Sequence, residues 1–156
     1  MSRLHLISSL VFLIVMTNFT GCTNHRSTQV AFLNPGTVLP EGLPFSEAVR
    51  VDDTLYLSGL VGVKPGTMEL VSGGIEAESR QTMENIQMTL EAHGASMNDV
   101  VKCTVMLADI SEWSTFNEIY RTYFTDHYPA RSALGANGLA LRSRVEVECI
   151  AVIDHR

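Results

Sequence analysis

The sequence predicts one α+β domain in which two helices cover one face of a mixed β-sheet. Three observations carry that expectation. Two stretches, 76–93 and 109–124, place apolar side chains at three- and four-residue steps and read as amphipathic helices. Short β-rich runs at 45–63, 100–108 and 144–153 surround them, giving the order strand, strand, helix, strand, helix, strand, strand. With 156 residues, 46% hydrophobic and 18% charged, the chain suffices for one ordinary core and hardly for two.

The first 21 residues stand outside that domain. Arg3 and His5 precede the uncharged stretch LISSLVFLIVMTNFTG, whose apolar centre, 10–16, is too short for a membrane span and reads as the h-region of a secretory signal. The stretch ends in Phe19-Thr20-Gly21-Cys22. Small residues before a cysteine, directly after an h-region, resemble the lipobox of bacterial lipoproteins, although Phe19 stands where an aliphatic residue is usual. The resemblance implies cleavage before Cys22, acylation of its thiol and a membrane anchor. Thr23, rather than aspartate, follows the cysteine, which implies an outer-membrane anchor on the periplasmic side of the envelope. Plain cleavage leaving Cys22 free or disulfide-bonded is the alternative. Residues 22–40 then read as the lipidated cysteine and a tether, broken by Asn34-Pro35-Gly36, and residues 41–156 as the domain.

Charge narrows the function. Loss of Arg3 with the signal leaves ten Lys+Arg against 17 Asp+Glu, a formal −7, and no basic stripe, which disfavours nucleic-acid binding by phosphate neutralisation. The five histidines (His5, His25, His93, His127, His155) lack ligand spacing, so no metal is expected. Cys103 and Cys149 lie in apolar strand-like runs. Buried free thiols are the default for such residues, and a disulfide is the alternative in an oxidising compartment.

Within the domain, Asp52-Asp53 separates two β-rich runs as in a hairpin. Gly59 and Gly62 interrupt the second run, marking either the close approach of a ligand or second backbone, or a packing bend. Met83, Ile86 and Leu90 form the apolar stripe of the first helix, closed by Gly94. The run 100–108 reads as a central strand. Ser111 is the expected N-cap of the second helix, whose stripe of Trp113, Phe116, Tyr120 and Tyr123 reads as core, with Asn117 off it. A short strand at 132–136 and a long one at 144–153 finish the domain. No internal repeat or low-complexity tract is present.

Arg131, after Pro129-Ala130, and Glu146, 15 residues later, are the candidate reactive pair. A guanidinium presents a planar fork of donors that fits a carboxylate bidentately. A carboxyl group in the same pocket can move protons or hold a water. The two could instead form a structural ion pair.

Six runs extend the picture: LYLSGLVGV (55–63), LVSGGIEAESRQTMENI (70–86), NDVVKCTVMLADI (98–110), FNEIYRTYF (116–124), PARS (129–132) and RVEVECIAV (144–152). In this order they resemble the reactive intermediate deaminase A (RidA/YjgF) family. The resemblance implies a chorismate-mutase-like α+β fold, a homotrimer with pockets at subunit interfaces, and hydrolysis of 2-imino or enamine acids to 2-keto acids and ammonia without cofactor or metal. It gives Arg131 the substrate carboxylate and Glu146 the proton-handling role. It makes Ser58, Gly59, Asn117, Phe45 and Ala133 substrate-binding positions. Phe45 replaces the family's pocket tyrosine, Leu60 a glutamine, Ala133 a frequent cysteine and Ala140 a proline. A non-catalytic, envelope-anchored module that binds a small carboxylate or acts as a scaffold is the alternative function. An endoribonuclease activity, attached to some relatives, fits the charge of −7 least.

Overall fold

The computed structural model describes residues 27–153. The signal segment, its cleavage site and Cys22 lie outside the described residues. The elements in order are β1 (Val30–Leu33), β2 (Ala48–Val51), β3 (Thr54–Leu57), β4 (Leu60–Val61), α1 (Gly74–Ala92), β5 (Val100–Leu107), α2 (Trp113–Tyr120), β6 (Ala130–Gly135) and β7 (Val145–Val152). They build one sheet in the order β1-β2-β3-β7-β5-β6, with β4 also paired to β7. Only the β5–β6 pair is parallel, since α2 lies in the crossover between those two strands. The mixed sheet with two helices agrees with the sequence-based expectation.

Period-two alternation divides the sheet into a helix-covered face and an open face. Val105, Leu107, Val145, Val147 and Ala151 are fully buried, and they join Met83, Ile86 and Leu90 of α1 and Phe116 of α2 in one core. Each such side chain contributes about 2 kcal/mol by leaving water. The residues between them, such as Lys102, Thr104, Met106 and Ile150, are only partly covered, and Tyr56, Leu134 and Val152 are exposed. Helix α1 buries polar groups as well, with purpose: Asn85 donates to the carbonyls of Val61 and Val63, pinning β4 to the helix.

Several expectations change. Residues 30–33, assigned to the tether, pair with β2 as the outermost strand of the sheet. The segment after them is held by the buried Glu47, whose carboxylate accepts from the Leu39 N–H and the Thr89 hydroxyl at 3.0 Å each, and Val38 and Leu39 enter the core. Ser111 does not cap the second helical region. Asp109 does, accepting from the Ser111 N–H at 2.9 Å and from its hydroxyl at 2.7 Å, because a carboxylate two residues ahead reaches the exposed amide as an N-cap side chain does. Cys103 and Cys149 are joined in a disulfide rather than standing as free thiols. They are direct partners across β5 and β7, with Cα atoms 4.2 Å apart, the close spacing of a facing antiparallel pair.

The two interrupting glycines have different causes. A Cβ on Gly62 would stand 2.8 Å from the Glu78 backbone, so Gly62 allows α1 to seat against the sheet. Gly59 belongs to the site.

Candidate active site

Arg131 is the second residue of the edge strand β6, which starts at Ala130 directly after Pro129, where a missing N–H costs nothing. Its register partner is the buried Cys103, so its side chain rises on the helix-covered face. There it meets three residues of α2 spaced by four and three, which share one helix face. The Asn117 carbonyl oxygen accepts from Arg131 Nη2 at 2.8 Å. The guanidinium carbon lies 4.5 Å from the Trp113 ring centroid and 4.3 Å from that of Tyr120. Cation–π contacts of this kind strengthen where water is excluded. Arg131 Nη1 and the Tyr120 hydroxyl are both buried without a hydrogen-bond partner among the described residues. Burial pushes the Tyr120 hydroxyl up to about 12, against the opposing pull of the Arg131 charge, so it remains a protonated donor. These four residues, with Arg121, Tyr128 and Pro129, line a cleft of about 530 Å³.

Glu146 lies elsewhere. Its neighbours Val145 and Val147 point into the helix-side core, and alternation therefore sends Glu146 to the open face, opposite Met106. Gly59 leaves the space its carboxylate occupies, since a Cβ there would stand 2.1 Å from Glu146 Oε1. The carboxyl group is held above the usual glutamate range, chiefly by burial and further by the Glu148 charge, while a hydrogen bond from the Ala140 N–H opposes both. The loop carrying that amide is strained: Leu141 and Arg142, which follow Ala140, adopt left-handed φ values of 56° and 62°. Non-glycine residues hold that conformation only where their surroundings enforce it.

Ser58 precedes Gly59 in the chain. Its hydroxyl donates to the Ser46 carbonyl at 2.7 Å and its N–H to the Glu47 carbonyl at 3.0 Å, which fixes the Phe45–Glu47 segment beside Gly59. Phe45 itself is half exposed and lines a separate hollow of about 260 Å³ with Leu39 and Glu47. Ala133 shares the face of Arg131 two residues further along β6, but it is exposed and outside the cleft lining. Leu60 is fully buried in the core.

The chain thus places Arg131 and Glu146 on opposite faces of the sheet. An Arg131–Glu146 ion pair within the protomer is ruled out by the same geometry. The expected core stripe of α2 holds, with Phe116 and Tyr120 in the core and Trp113 and Tyr123 packed against it, and Trp113 and Tyr120 also meet Arg131. The signal that finds them is the common face of positions 113, 117 and 120. Among the described residues no group of three or more His, Cys, Asp or Glu side chains is arranged to hold a metal ion.

The family model described as endoribonuclease L-PSP matches residues 39–153. The chain belongs to this family. The L-PSP assignment agrees with the RidA/YjgF resemblance of the sequence blocks. This L-PSP chain is 49% identical over 109 residues to the mouse 2-iminobutanoate/2-iminopropanoate deaminase, covering 70% of this chain and 81% of the mouse protein. The human protein of the same name is 45% identical over 109 residues, covering 70% of this chain and 80% of its own length. Among solved structures, RidA from an Antarctic Psychrobacter species superposes with a TM-score of 0.74 at 37% identity, over 79% of this chain and 99% of that one. TdcF from E. coli, solved with bound serine, gives 0.73 at 28% identity, over 80% and 99%.

The environment of Glu146 makes a pH-dependent prediction. A carboxyl whose folded-state pKa is raised binds its proton more tightly in the fold than in the unfolded chain. Its contribution to stability is therefore complete below the ordinary glutamate range and is lost as pH rises through the raised value. Glu146→Gln, which does not titrate, should gain in Tm relative to wild type as pH is taken from about 4 to about 8. A difference that shrinks over that range would show that the carboxyl is not held in its protonated form by burial.

Proposed function

We propose that the protein hydrolyses 2-imino acids and their enamine tautomers to 2-keto acids and ammonia. The observation that carries this reading is the Arg131 guanidinium, fixed by Asn117 and two aromatic rings while one buried donor edge remains unmatched. A planar, fixed cation of this kind suits a carboxylate. A 2-imino acid carries that carboxylate beside an electrophilic C=N carbon, so clamping the one orients the other. Glu146 holds a water and accepts its proton as the oxygen bonds to the imine carbon. The resulting tetrahedral species carries both hydroxyl and amino groups. With a protonated imine as the reactant, returning the proton from Glu146 to nitrogen makes ammonia the leaving group. The C–N bond breaks as the hydroxyl oxygen forms the C=O bond, and the hydroxyl proton passes to the released ammonia, so one water is consumed and a keto acid and ammonium are formed per turnover. The raised pKa of Glu146 suits it to both directions of that transfer. The deaminase names of the mouse and human relatives support the reaction. The serine bound to TdcF, an acid with nitrogen on its α-carbon, supports the substrate class.

That mechanism implies assembly. Because Arg131 and Glu146 occupy opposite faces, a site using both takes Arg131 from one copy and Glu146 from the next. We assign this arrangement to a homotrimer with the open faces of the sheets packed inside. The exposed Tyr56, Leu134 and Val152 on the open face support a partner there. We further propose that Cys22 is acylated and tethers the trimer on the periplasmic side of the outer membrane. The Cys103–Cys149 disulfide supports an oxidising compartment. That location is what favours the second reading, a membrane-anchored binding module for small carboxylates.

The two readings separate in one assay. Purified protein added to an amino-acid oxidase that generates a 2-imino acid should accelerate keto-acid release, and Arg131→Ala or Glu146→Gln should each lower kcat/KM by at least about 100-fold. Unchanged release at stoichiometric wild-type protein leaves the binding module. For the anchor, Cys22→Ala should move the protein from the membrane pellet to the soluble fraction of lysed cells. Retention in the pellet would remove the lipid from the account.

A further inference from the structure

The cleft on the helix-covered face holds two donors that the fold does not satisfy, and the second of them has no role so far. Tyr120 is 3% exposed, yet its hydroxyl finds no hydrogen-bond partner among the described residues. Burying a hydroxyl without a partner is costly, and buried tyrosines ordinarily find one. Arg131 Nη1 is in the same condition, and there the unmatched donor carries charge. Both side chains line one cleft, and the guanidinium carbon lies 4.3 Å from the Tyr120 ring centroid. The one side-chain amide oxygen in the cleft lining, on Asn117, is already occupied by Arg131 Nη2.

A pocket whose unmatched groups are one cationic and one neutral donor is complementary to an anion with two acceptor oxygens. We propose that the Tyr120 hydroxyl is a second binding donor for the substrate carboxylate, one oxygen meeting Arg131 Nη1 and the other the phenol. The inference rests on the deaminase reading for the substrate and adds to it a residue that also selects. Both oxygens of a carboxylate are acceptors, whereas a primary amide replaces one of them with an NH₂ that would face a donor. Tyr120 stays protonated throughout the working pH range, so it donates rather than repels. Trp113, whose ring lies 4.5 Å from the Arg131 guanidinium carbon, is the only tryptophan in the chain, and its fluorescence reports on this cleft alone.

The test is a titration of the purified protein with pyruvate, a 2-keto acid of the product class, followed by Trp113 fluorescence and repeated with pyruvamide. Tyr120→Phe keeps the ring and its contact with Arg131 and removes only the oxygen. It should leave Tm within about 1 °C of wild type and weaken pyruvate binding about tenfold. Affinity for pyruvamide should be unchanged. With a 2-imino acid, KM should rise by a similar factor while kcat stays within about twofold, the pattern of a lost binding contact rather than of lost chemistry. Equal pyruvate affinities for Tyr120→Phe and wild type would overturn the inference and leave the hydroxyl as packing. Wild type that binds pyruvate without turning over the imino acid defeats the deaminase reading but not the donor assignment. Wild type that does not bind pyruvate defeats the assignment.

Discussion

The alternation of side chains along β6 and β7 is the constraint from which the rest of the molecule's behaviour follows. Arg131 is registered with the buried Cys103 and Glu146 with Met106, and Cys103 and Met106 point to opposite faces of β5. A slip of one residue in either pairing would exchange the faces, bury a charge and expose the apolar set. The register is therefore enforced by the whole core. The Cys103–Cys149 disulfide, directly beside Arg131 in the ladder, ties β5 to β7 at the level of the site. Arg131 and Glu146 are thus placed by paired strands of the sheet, and their separation is not something a loop movement could undo.

Arg131 and Glu146 are each organised by neighbours from another element. On the helix-covered face, α2 supplies a hydrogen-bond acceptor and two aromatic rings that define where the Arg131 guanidinium lies. On the open face, Gly59 supplies room and the strained loop after Leu139 supplies an amide to Glu146. In the proposed mechanism neither side suffices alone: a carboxylate clamp without a proton-handling group only binds, and a lone carboxyl without a clamp has no oriented substrate. In that mechanism chemistry and assembly are one problem, because Arg131 and Glu146 of a single chain face opposite sides of the sheet.

How far the sequence discloses this depends on the range of the interactions involved. Met83, Ile86 and Leu90 announced α1 because helical periodicity is local, and the apolar runs at 100–108 and 144–153 announced β5 and β7 for the same reason. Val30–Leu33 did not read as a strand, since its partner β2 begins well beyond the Asn34-Pro35-Gly36 break and nothing local records the pairing. The disulfide was hidden likewise: it depends on Cys103 and Cys149 falling opposite each other across strands 46 residues apart. Arg131, Glu146, Ser58, Gly59 and Asn117 were legible through the family resemblance, and the geometry gives most of them a partner. Phe45 and Ala133 lie outside the Arg131 cleft in the protomer. Trp113 and Tyr120 belong to the core side of α2, as an aromatic stripe usually does, and their added contact with the Arg131 cation depends on a strand that the helix spacing does not record.

The central claim, that a working site joins Arg131 of one copy to Glu146 of another, is tested most directly by mixing two inactive variants. Arg131→Ala and Glu146→Gln proteins, each silent in the imine assay, are unfolded together at equal amounts and refolded, or co-expressed. Random assortment places an intact Arg131 against an intact Glu146 in about one site in four, so turnover should return to about a quarter of wild type. A mixture that remains as inactive as its components would contradict the shared site and with it the account given of this fold.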